Sequence, residues 1–457
     1  MLSGFMHHPD LLPAIIISAI FVLTFACAEI LRIYAHFKVE ATRKFVHLAA
    51  GVVSLTFAYI FKSHWTLLIL CAIFVIIMQV TKKMQLLPSI HKVGRTSHGS
   101  IYHPIAMYVS FYFASILKKP EFYFVSVLVL SVSDSLAALI GSTYGIKLYR
   151  VQDENKSIEG STIFFFSTFF LIHLSLLLLT DIGRLESVLV AMVIAILVTF
   201  VEAIALEGSD NLFIPWGTFF ILYKLDGMSA IGLFKQLFKF IASFFLILIA
   251  SYPSQKFGIS GIIGLALISY GCWSMMGFDW FVPAIIGTAC LSYTDIFLGP
   301  AKDESAQKRV RNVFYSVVVS MVWLIIASFF YHQRQLFTVP FIISFLSQMS
   351  LLWKRRRIEL QGEGKEISTI QGVNLPARAA VLTALFLPPF FFSDNVLSPL
   401  FSLATCFVGI MMSDGFYFSM TLFNKSWNEI TDLRARMWAN LLSTFSIFLM
   451  NYFWYTI

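Results

Sequence analysis

The chain has 457 residues, of which 58% are apolar and only 13% are charged, and its net charge is +8. Soluble domains are about 45–50% apolar and about 25% charged. The composition therefore excludes a soluble enzyme, a disordered chain and a secreted disulfide scaffold. It predicts an all-α, polytopic transmembrane helical bundle, because helices satisfy their own backbone hydrogen bonds in lipid.

Apolar runs long enough to cross a bilayer recur along the chain and predict about sixteen membrane helices in two halves, which we place at residues 1–240 and 241–457. The run at 212–223 is short and could be re-entrant. The predicted spans lie near 11–35, 45–61, 65–80, 101–117, 121–141, 161–180, 185–206, 212–223, 236–252, 258–276, 281–298, 313–331, 337–353, 377–392, 397–420 and 434–456.

Positive charge gathers on one side of this topology. Alternating loops carry 24 of the 33 Lys and Arg residues, so the positive-inside rule makes that side cytoplasmic and the N-terminus external. The bases are scattered between apolar runs, which favours contacts with anionic lipids and not with nucleic acid. A bacterial inner membrane is the favoured location, with the endoplasmic reticulum or a plastid envelope as alternatives.

The clearest ionisable residue at membrane depth in the first half is Asp134, which is followed at helical spacings by Gly141 and Gly145. Intramembrane acids are costly and usually functional, although a helix-packing seam with one satisfied carboxyl is the alternative. A polar loop over residues 146–155 then leads to Lys156 and a helix start containing Ser157, Glu159 and Gly160. This pattern suits phosphate. With Asp134, Glu159 suggests Mg²⁺, and plain helix capping is the alternative.

Three other segments on the same predicted side could join the site. Arg43, Lys44 and His47 share one helix face, with interfacial anchoring as the alternative. The segment 98–104 contains two histidines beside a basic loop and could instead contact lipid headgroups. Glu202 precedes Asp210 and Asn211, which suit a metal or a hydroxyl but also fit a simple Asx turn.

These motifs, in this order over about residues 25–230, resemble the CTP-dependent lipid-alcohol kinases of the dolichol, phytol and diacylglycerol kinase type. Their D-x-x-A-x-x-x-G-x-x-x-G and K-[KST]-x-E-G patterns match here, with an early R-K-x-x-H and a late E…DN-x-x-P. One departure is the long loop after Gly145. The resemblance implies these roles: catalysis by Asp134, Lys156, Glu159 and His47; nucleotide or phosphate binding by Arg43, Lys44, Gly141, Gly145, Ser157, Gly160 and Asn211; and Mg²⁺ binding by Asp134, Glu159 and Asp210.

The expected activity is transfer of the γ-phosphate of CTP, or another nucleoside triphosphate, to a long-chain alcohol that the bilayer delivers to the cytoplasmic face. Two alternatives stay open. A phosphatidate cytidylyltransferase would share the nucleotide and the metal but release pyrophosphate. A transporter or flippase should show paired repeats with polar groups at mid-depth, and neither feature is evident.

The second half resembles the phytyl-phosphate kinase family more loosely, through a late G-x-x-x-D-S-like segment and a final N-L-L. The residues implied are Asp295, Arg378, Asp414 and Asn440. The acidic helix of that family falls near 344–352, where this chain has no acid. We therefore expect either a second prenyl-phosphate kinase activity or a half that has lost catalysis and become structural or regulatory.

Overall fold

The computed structural model describes residues 9–37, 39–91, 98–151, 154–205, 208–252, 258–298, 306–362, 374–385, 399–423 and 429–456. These fall into two compact units, Met1–Lys235 and Gln236–Ile457. Each unit is a bundle of helices, and the structure confirms the predicted all-α polytopic class.

The helices of the first unit begin with α1, and α7 contains a π-helical turn at Val129–Ser133. Their bounds are α1 Leu11–Tyr34, α2 Val39–Ser54, α3 Phe57–Ile60, α4 His64–Lys83, α5 Pro88–His91, α6 Gly99–Leu117, α7 Pro120–Tyr144, α8 Ile158–Leu179, α9 Arg184–Ile204 and α10 Asp210–Leu225. The chain then continues through α11 Ala230–Ser251, α12 Gly258–Met275, α13 Phe278–Leu298, α14 Ala306–Phe329, α15 Gln335–Gly362, α16 Leu375–Leu385, α17 Pro399–Phe423 and α18 Glu429–Thr456.

Every predicted apolar run overlaps one of these helices, since long apolar sequence without Gly or Pro clusters strongly favours helix in lipid. In the described parts of the chain, eight helices are long and apolar enough to cross a membrane, and four shorter helices are also apolar. The figure of sixteen crossings stays a prediction. The run near 212–223, predicted as short and possibly re-entrant, belongs to the regular 16-residue helix α10.

One segment differs from the predicted loop. Residues 146–155 contain strand β1 Leu148–Val151, which pairs antiparallel with β2 Glu154–Ser157. The register places Tyr149 opposite Lys156 and Leu148 opposite Ser157. Leu148, Tyr149 and Val151 are β-formers, and the strand pairing satisfies backbone groups that a free loop would leave to solvent. The hairpin leads directly into α8, so it fixes where the first turn of α8 lies.

Polar contacts fix the helix ends of the first unit. The buried Asp10 carboxylate accepts hydrogen bonds from the amides of Lys62 and Ser63, at 3.0 and 2.8 Å, just before α4 begins. This is the interaction expected of an acid at a helix N-terminus. At α5, the Ser89 amide donates to Glu29 on α1 at 2.9 Å, while Thr42 on α2 donates to the Ser89 carbonyl at 3.0 Å. These contacts hold α2 in place beside α1.

In each unit, one of the candidate membrane-spanning helices is more buried than the others. In the first unit, 61% of the most apolar 18-residue stretch of α9 is buried, against 11% of the corresponding stretch of α1. The apolar side chains of α1 therefore face outward, as in a lipid-facing helix. In the second unit, 89% of the corresponding stretch of α15 is buried. Trp280 stacks on Phe341 of α15 with ring centroids 4.3 Å apart, and Asn440 donates to the Ser344 carbonyl at 2.9 Å.

Candidate functional site

The intramembrane acid Asp134 is paired with two residues of α2. It begins the helical segment after the π turn of α7 and is 7% exposed. Lys44 Nζ lies 2.7 Å from its Oδ2 atom. His47 Nε2 lies 3.3 Å from the same oxygen but without the geometry of a hydrogen bond. Burying one carboxylate costs several kcal/mol unless it is paired, so Lys44 makes this position tenable.

The approach of α2 to α7 depends on Gly51. A Cβ atom at this position would lie 1.8 Å from the Oγ atom of Ser131 and 2.4 Å from its Cβ atom, far inside contact distance. Ser131 belongs to the π turn, and its hydroxyl donates to the Val127 carbonyl at 2.7 Å. π turns often occur next to functional residues. Here the turn and Gly51 together set the separation of Lys44 and Asp134.

The glycines of the predicted phosphate motif serve close packing of α7 on α8. A Cβ on Gly160 would meet the Ala137 carbonyl at 3.1 Å and the Cα atom of Gly141 at 3.2 Å. A Cβ on Gly145 would lie 2.7 Å from the Cβ atom of Ser157. Ser157 caps α8, since its hydroxyl accepts the Gly160 amide at 3.1 Å. The small residues therefore place the N-terminus of α8 directly beside α7.

Lys156 projects from β2 and pairs with Glu202 near the end of α9. Its Nζ atom lies 2.8 Å from Glu202 Oε1 and also donates to the Glu202 backbone carbonyl. Burial alone would lower the pKa of the Lys156 ammonium, but the Glu202 and Asp210 carboxylates raise it above its ordinary value. Ser161 on α8 adds a weak hydrogen bond to Glu202 at 3.4 Å. Lys156 is therefore a fixed, partly shielded cation.

A polar cavity of about 270 Å³ brings most of the predicted site together. Lys44 and Asp134 line it on one side, and Lys156 with Glu202 lines it on another. The exposed side chains of Leu148 and Asn155 lie at its rim. The predicted residues that line it are Arg43, Lys44, His47, Asp134, Gly141, Lys156, Ser157, Gly160, Asp210 and Asn211.

Two predicted residues lie outside this cavity. The Glu159 carboxylate accepts the Lys147 backbone amide at 3.2 Å, so it joins the hairpin to the first turn of α8 and is not brought together with Asp134. Successive residues in a helix point about 100° apart, and Glu159 therefore cannot share the inward direction of Gly160 and Ser157. Gly145 packs on Ser157 and does not line the cavity either.

The residue that the sequence reasoning undervalued is Glu202. The predicted roles do not include Glu202, although an acid at the end of an otherwise apolar helix is itself a signal of function. Ser161 was also given no role, and it lines the cavity beside Glu202. His103, which lies on α6, was grouped with a basic loop. Its ring centroid is 5.4 Å from that of His47.

Oxygen donors suitable for Mg²⁺ are present in the cavity. Asp134 and Asp210 line it together with Asn211, whose backbone amide donates to Asp210 Oδ1 at 2.9 Å. Among the described residues, which do not include Glu207, no three His, Cys, Asp or Glu side chains form a ready metal cluster. Mg²⁺ at phosphoryl-transfer sites is usually held by one or two carboxylates plus substrate phosphates, so this donor set fits the ion.

The second unit contains a cluster of charged residues, which we call the buried charged cluster after its buried members Asp414, Asp432 and Arg436. Its other members are Lys354 and Arg355, whose side chains are 21% and 26% exposed. Lys354 Nζ lies 2.7 Å from Asp414 Oδ2. Asp432 Oδ2 contacts Arg355 at 2.8 Å and Arg436 at 3.1 Å. Asp432 and Arg436 are 3% and 2% exposed. The cluster joins α15, α17 and α18.

Of the residues predicted for this half, Asp414 belongs to the cluster and Asn440 lies on α18, bonded to α15. The side chains of Asp295 on α13 and Arg378 on α16 lie outside the described residues. The sequence reasoning missed Asp432, Arg436 and the Lys354–Arg355 pair. The basic run at 354–357 fits a topogenic loop equally well, but the structure places it inside α15.

The fold and the cavity define a polytopic membrane protein with a buried-acid, cationic site suited to phosphate chemistry. No family model and no solved structure matches the chain. A phytol kinase of Synechocystis sp. is 31% identical to it over 198 residues, which is 43% of this chain and 84% of that kinase. The chain therefore belongs to the same lipid-alcohol kinase family as this phytol kinase.

Proposed function

We propose that the first unit transfers the γ-phosphoryl group of a nucleoside triphosphate, CTP in particular, to the hydroxyl of a long-chain isoprenoid or lipid alcohol. The observation that carries this proposal is the polar cavity, in which Lys44 pairs with Asp134 and Lys156 pairs with Glu202. Family membership supports the lipid-alcohol kinase class. The choice of CTP rests on the motif resemblance.

The cations of the cavity have the arrangement that phosphoryl transfer needs. This reaction depends mainly on positioning and on neutralising the oxygens of the transferred group. Lys44 and Lys156 are each held within 2.8 Å of a carboxylate oxygen. They can therefore turn toward phosphate without a search through many rotamers. Arg43 lines the same cavity and adds a third positive charge.

The N-terminus of α10 is a second phosphate contact in this proposal. Asp210 and Asn211 are the first residues of α10, and both line the cavity. Free backbone amides and the helix dipole favour anions at such an end. The Asp210 carboxylate opposes an anion directly, which a cation between the two would relieve. Asp210 and the Asn211 amide oxygen would hold Mg²⁺, together with Asp134 if that residue does not act as the base, and the ion would supply charge neutralisation on the phosphates.

Asp134 is the candidate general base, with metal binding as the alternative role. In the proposed step the alcohol oxygen attacks the γ-phosphorus, and the bond from that phosphorus to the β–γ bridging oxygen breaks. The alcohol proton passes to Asp134, and the nucleoside diphosphate leaves with the bridging oxygen. Lys44 orients Asp134 through its hydrogen bond, while His47, which makes no hydrogen bond to Asp134, can contact the alcohol.

The same topology supports a location for the reaction. Basic loops on one predicted side favour a cytoplasmic site, where nucleotides are available, and contacts with anionic headgroups. A bacterial inner membrane is the preferred setting. The apolar helices around the cavity would let the alcohol arrive sideways from the bilayer.

A panel of donors and acceptors tests the proposal. The full chain in lipid vesicles would receive γ-labelled CTP or ATP with farnesol, phytol, dolichol or diacylglycerol. We expect label on one or more of the lipids, with CTP the better donor. Absence of label on every lipid would overturn the proposal, and release of pyrophosphate in place of CDP would support the cytidylyltransferase alternative.

For the second unit we propose phosphorylation of a prenyl monophosphate, the product of the first reaction. The buried charged cluster supports this, because three cations surround two acids and leave a net positive charge suited to a phosphate ester. The test supplies farnesyl monophosphate and γ-labelled CTP to the Asp134→Asn chain. Labelled diphosphate that is lost in Arg436→Gln supports the activity. No diphosphate indicates a structural or regulatory unit.

A further inference from the structure

A second cavity in the first unit is almost entirely apolar. It has a volume of about 150 Å³ and lies between α1, α4 and α6. Phe21 and Phe25 of α1 contact Phe74 of α4, with ring centroids 5.4 and 5.8 Å apart. Cys71 and Met107, which are 8% and 1% exposed, line its inner part. An empty apolar cavity of this size holds a group about as large as benzene.

The cavity opens where side chains face the predicted bilayer. Its lining includes Val22, Ile73 and Ile77, which are 65%, 49% and 45% exposed. Apolar side chains this exposed, on helices long enough to span a membrane, would contact lipid tails. An alkyl chain could therefore enter from the bilayer without crossing a polar barrier.

The polar side chains that line the cavity are Ser18, Ser54 and His103, and the largest of them is His103. Both of its ring nitrogens are buried and make no hydrogen bond within the described part of the chain. A buried donor or acceptor without a partner is destabilising, so this position favours a ligand that supplies one. A neutral imidazole has one donor and one acceptor, which matches the donor and acceptor of a hydroxyl group.

His103 also connects the apolar cavity to the polar one. Its ring lies edge-to-face with that of His47 at a centroid distance of 5.4 Å. His47 Nε2 in turn lies 3.3 Å from Asp134 Oδ2. The order from the bilayer inward is therefore apolar cavity, His103, His47 and Asp134. A primary alcohol with its chain in the apolar cavity would present its oxygen toward Asp134.

We infer that this cavity is the acceptor site: it holds the hydroxyl-proximal carbons of the lipid alcohol, and His103 binds the hydroxyl group. This inference rests on the proposed kinase function. Because the cavity holds only a benzene-sized part of the chain, the remaining carbons extend past Val22 and Ile77 into the bilayer. The site thus selects the structure next to the hydroxyl and is tolerant of total chain length.

Two single cysteines allow a matched test of the cavity, because one of them lines it and the other does not. Cys71→Phe fills the cavity, whereas Cys27→Phe makes the same change at an exposed position of α1 that does not line it. With farnesol as acceptor, we expect Cys71→Phe to raise the KM for the alcohol by at least about tenfold. The KM for CTP should stay unchanged, and Cys27→Phe should alter neither value. Equal KM values for farnesol in both variants would overturn the inference.

His103 is tested by removing and restoring its hydrogen bonds. His103→Leu should lower kcat/KM for farnesol by at least about tenfold, as expected when a substrate hydroxyl loses its partner. His103→Gln should recover part of this loss. CTP binding in the absence of alcohol should be the same in both variants, which separates hydroxyl binding from general damage. Equal kcat/KM for Leu and Gln would contradict the assigned role.

Photolabelling separates this inference from the kinase proposal. A farnesol analogue with a diazirine on its first isoprene unit would be irradiated with the full Asp134→Asn chain, which should bind alcohol but not phosphorylate it. Label on peptides from α1, α4 and α6 that farnesol competes away supports the site, even if no variant transfers phosphate. Label confined to other helices overturns it, even if the wild-type chain is an active kinase.

Discussion

Replacing Gly51 with Ala should disable the first unit although no charged or polar residue is replaced. The new Cβ would lie 1.8 Å from Ser131 Oγ, whereas ordinary contacts begin near 3.4 Å, so the atoms must separate by about 1.6 Å. His47 and Lys44 precede Gly51 by four and seven residues and therefore lie on the same face of α2. Any retreat of α2 moves both side chains away from Asp134.

The expected loss is large because geometry controls this chemistry. A displacement of 1 Å can cost about 100-fold in rate, and overpacking typically costs about 1–3 kcal/mol of stability. We expect kcat/KM for farnesol phosphorylation to fall about 100-fold and the melting temperature in detergent to fall as well. Both quantities are measured on the full chain.

A rescue and a control make this prediction strict. Ser131→Gly removes both clashing atoms and leaves only its Cα atom, 3.4 Å away, so Gly51→Ala combined with Ser131→Gly should recover most of the activity. Gly217→Ala on α10 introduces a Cβ with no atom within 4 Å and should be neutral or slightly stabilising. Wild-type activity in Gly51→Ala, or no recovery in the double variant, would refute the reasoning.

Three further predictions concern charged groups. Glu202→Gln should lower kcat/KM at least about tenfold, because it weakens the ion pair that positions Lys156. Glu159→Gln is the control and should change kcat/KM by less than about twofold, because the Glu159 carboxylate accepts the Lys147 backbone amide outside the cavity. Equal losses of kcat/KM in the two variants would contradict this prediction. Since the pKa of Lys156 is raised, this residue stays protonated from pH 6 to 9, so Lys156→Met should lower activity evenly over that range. A pH profile in which the loss shrinks toward alkaline pH, as it would if the wild-type lysine lost its proton there, would argue against this. Asp432→Asn leaves Arg355 and Arg436 without the buried carboxylate that they share. It should lower the free energy of unfolding of the second unit by about 3–5 kcal/mol, as measured by a denaturant titration. An unchanged midpoint of the unfolding transition would show that the cluster is not buried as described.

The helices could be predicted from sequence because bilayer thickness and backbone hydrogen bonding impose one solution on long apolar runs. The hairpin at 148–157 could not, since two four-residue strands carry a weak signal among charged residues. The sequence does predict where the next helix begins, because it places Lys156 and Ser157 at a helix start and α8 begins at Ile158.

The site residues show the same division. Asp134 and Lys156 were recognisable because charges are rare in this chain, but their partners depend on contacts that span 90 and 46 residues. Proximity in sequence favoured Glu159 as the companion of Asp134. Helix geometry instead directs Glu159 toward the hairpin, and Glu202 occupies the position beside Lys156. Only the three-dimensional packing of α7, α8 and α9 distinguishes these two acids.

Double-labelled CTP tests the central claim most directly. The nucleotide would carry tritium in the cytosine ring and ³²P at the γ position, and the full chain in vesicles would receive phytol or farnesol. The matched variants are Asp134→Asn and Asp226→Asn, since Asp226 pairs with Lys119 away from the cavity. We predict ³²P without tritium in the lipid, loss of this label in Asp134→Asn, and normal label in Asp226→Asn. Tritium in the lipid, or full ³²P transfer by Asp134→Asn, would contradict the account.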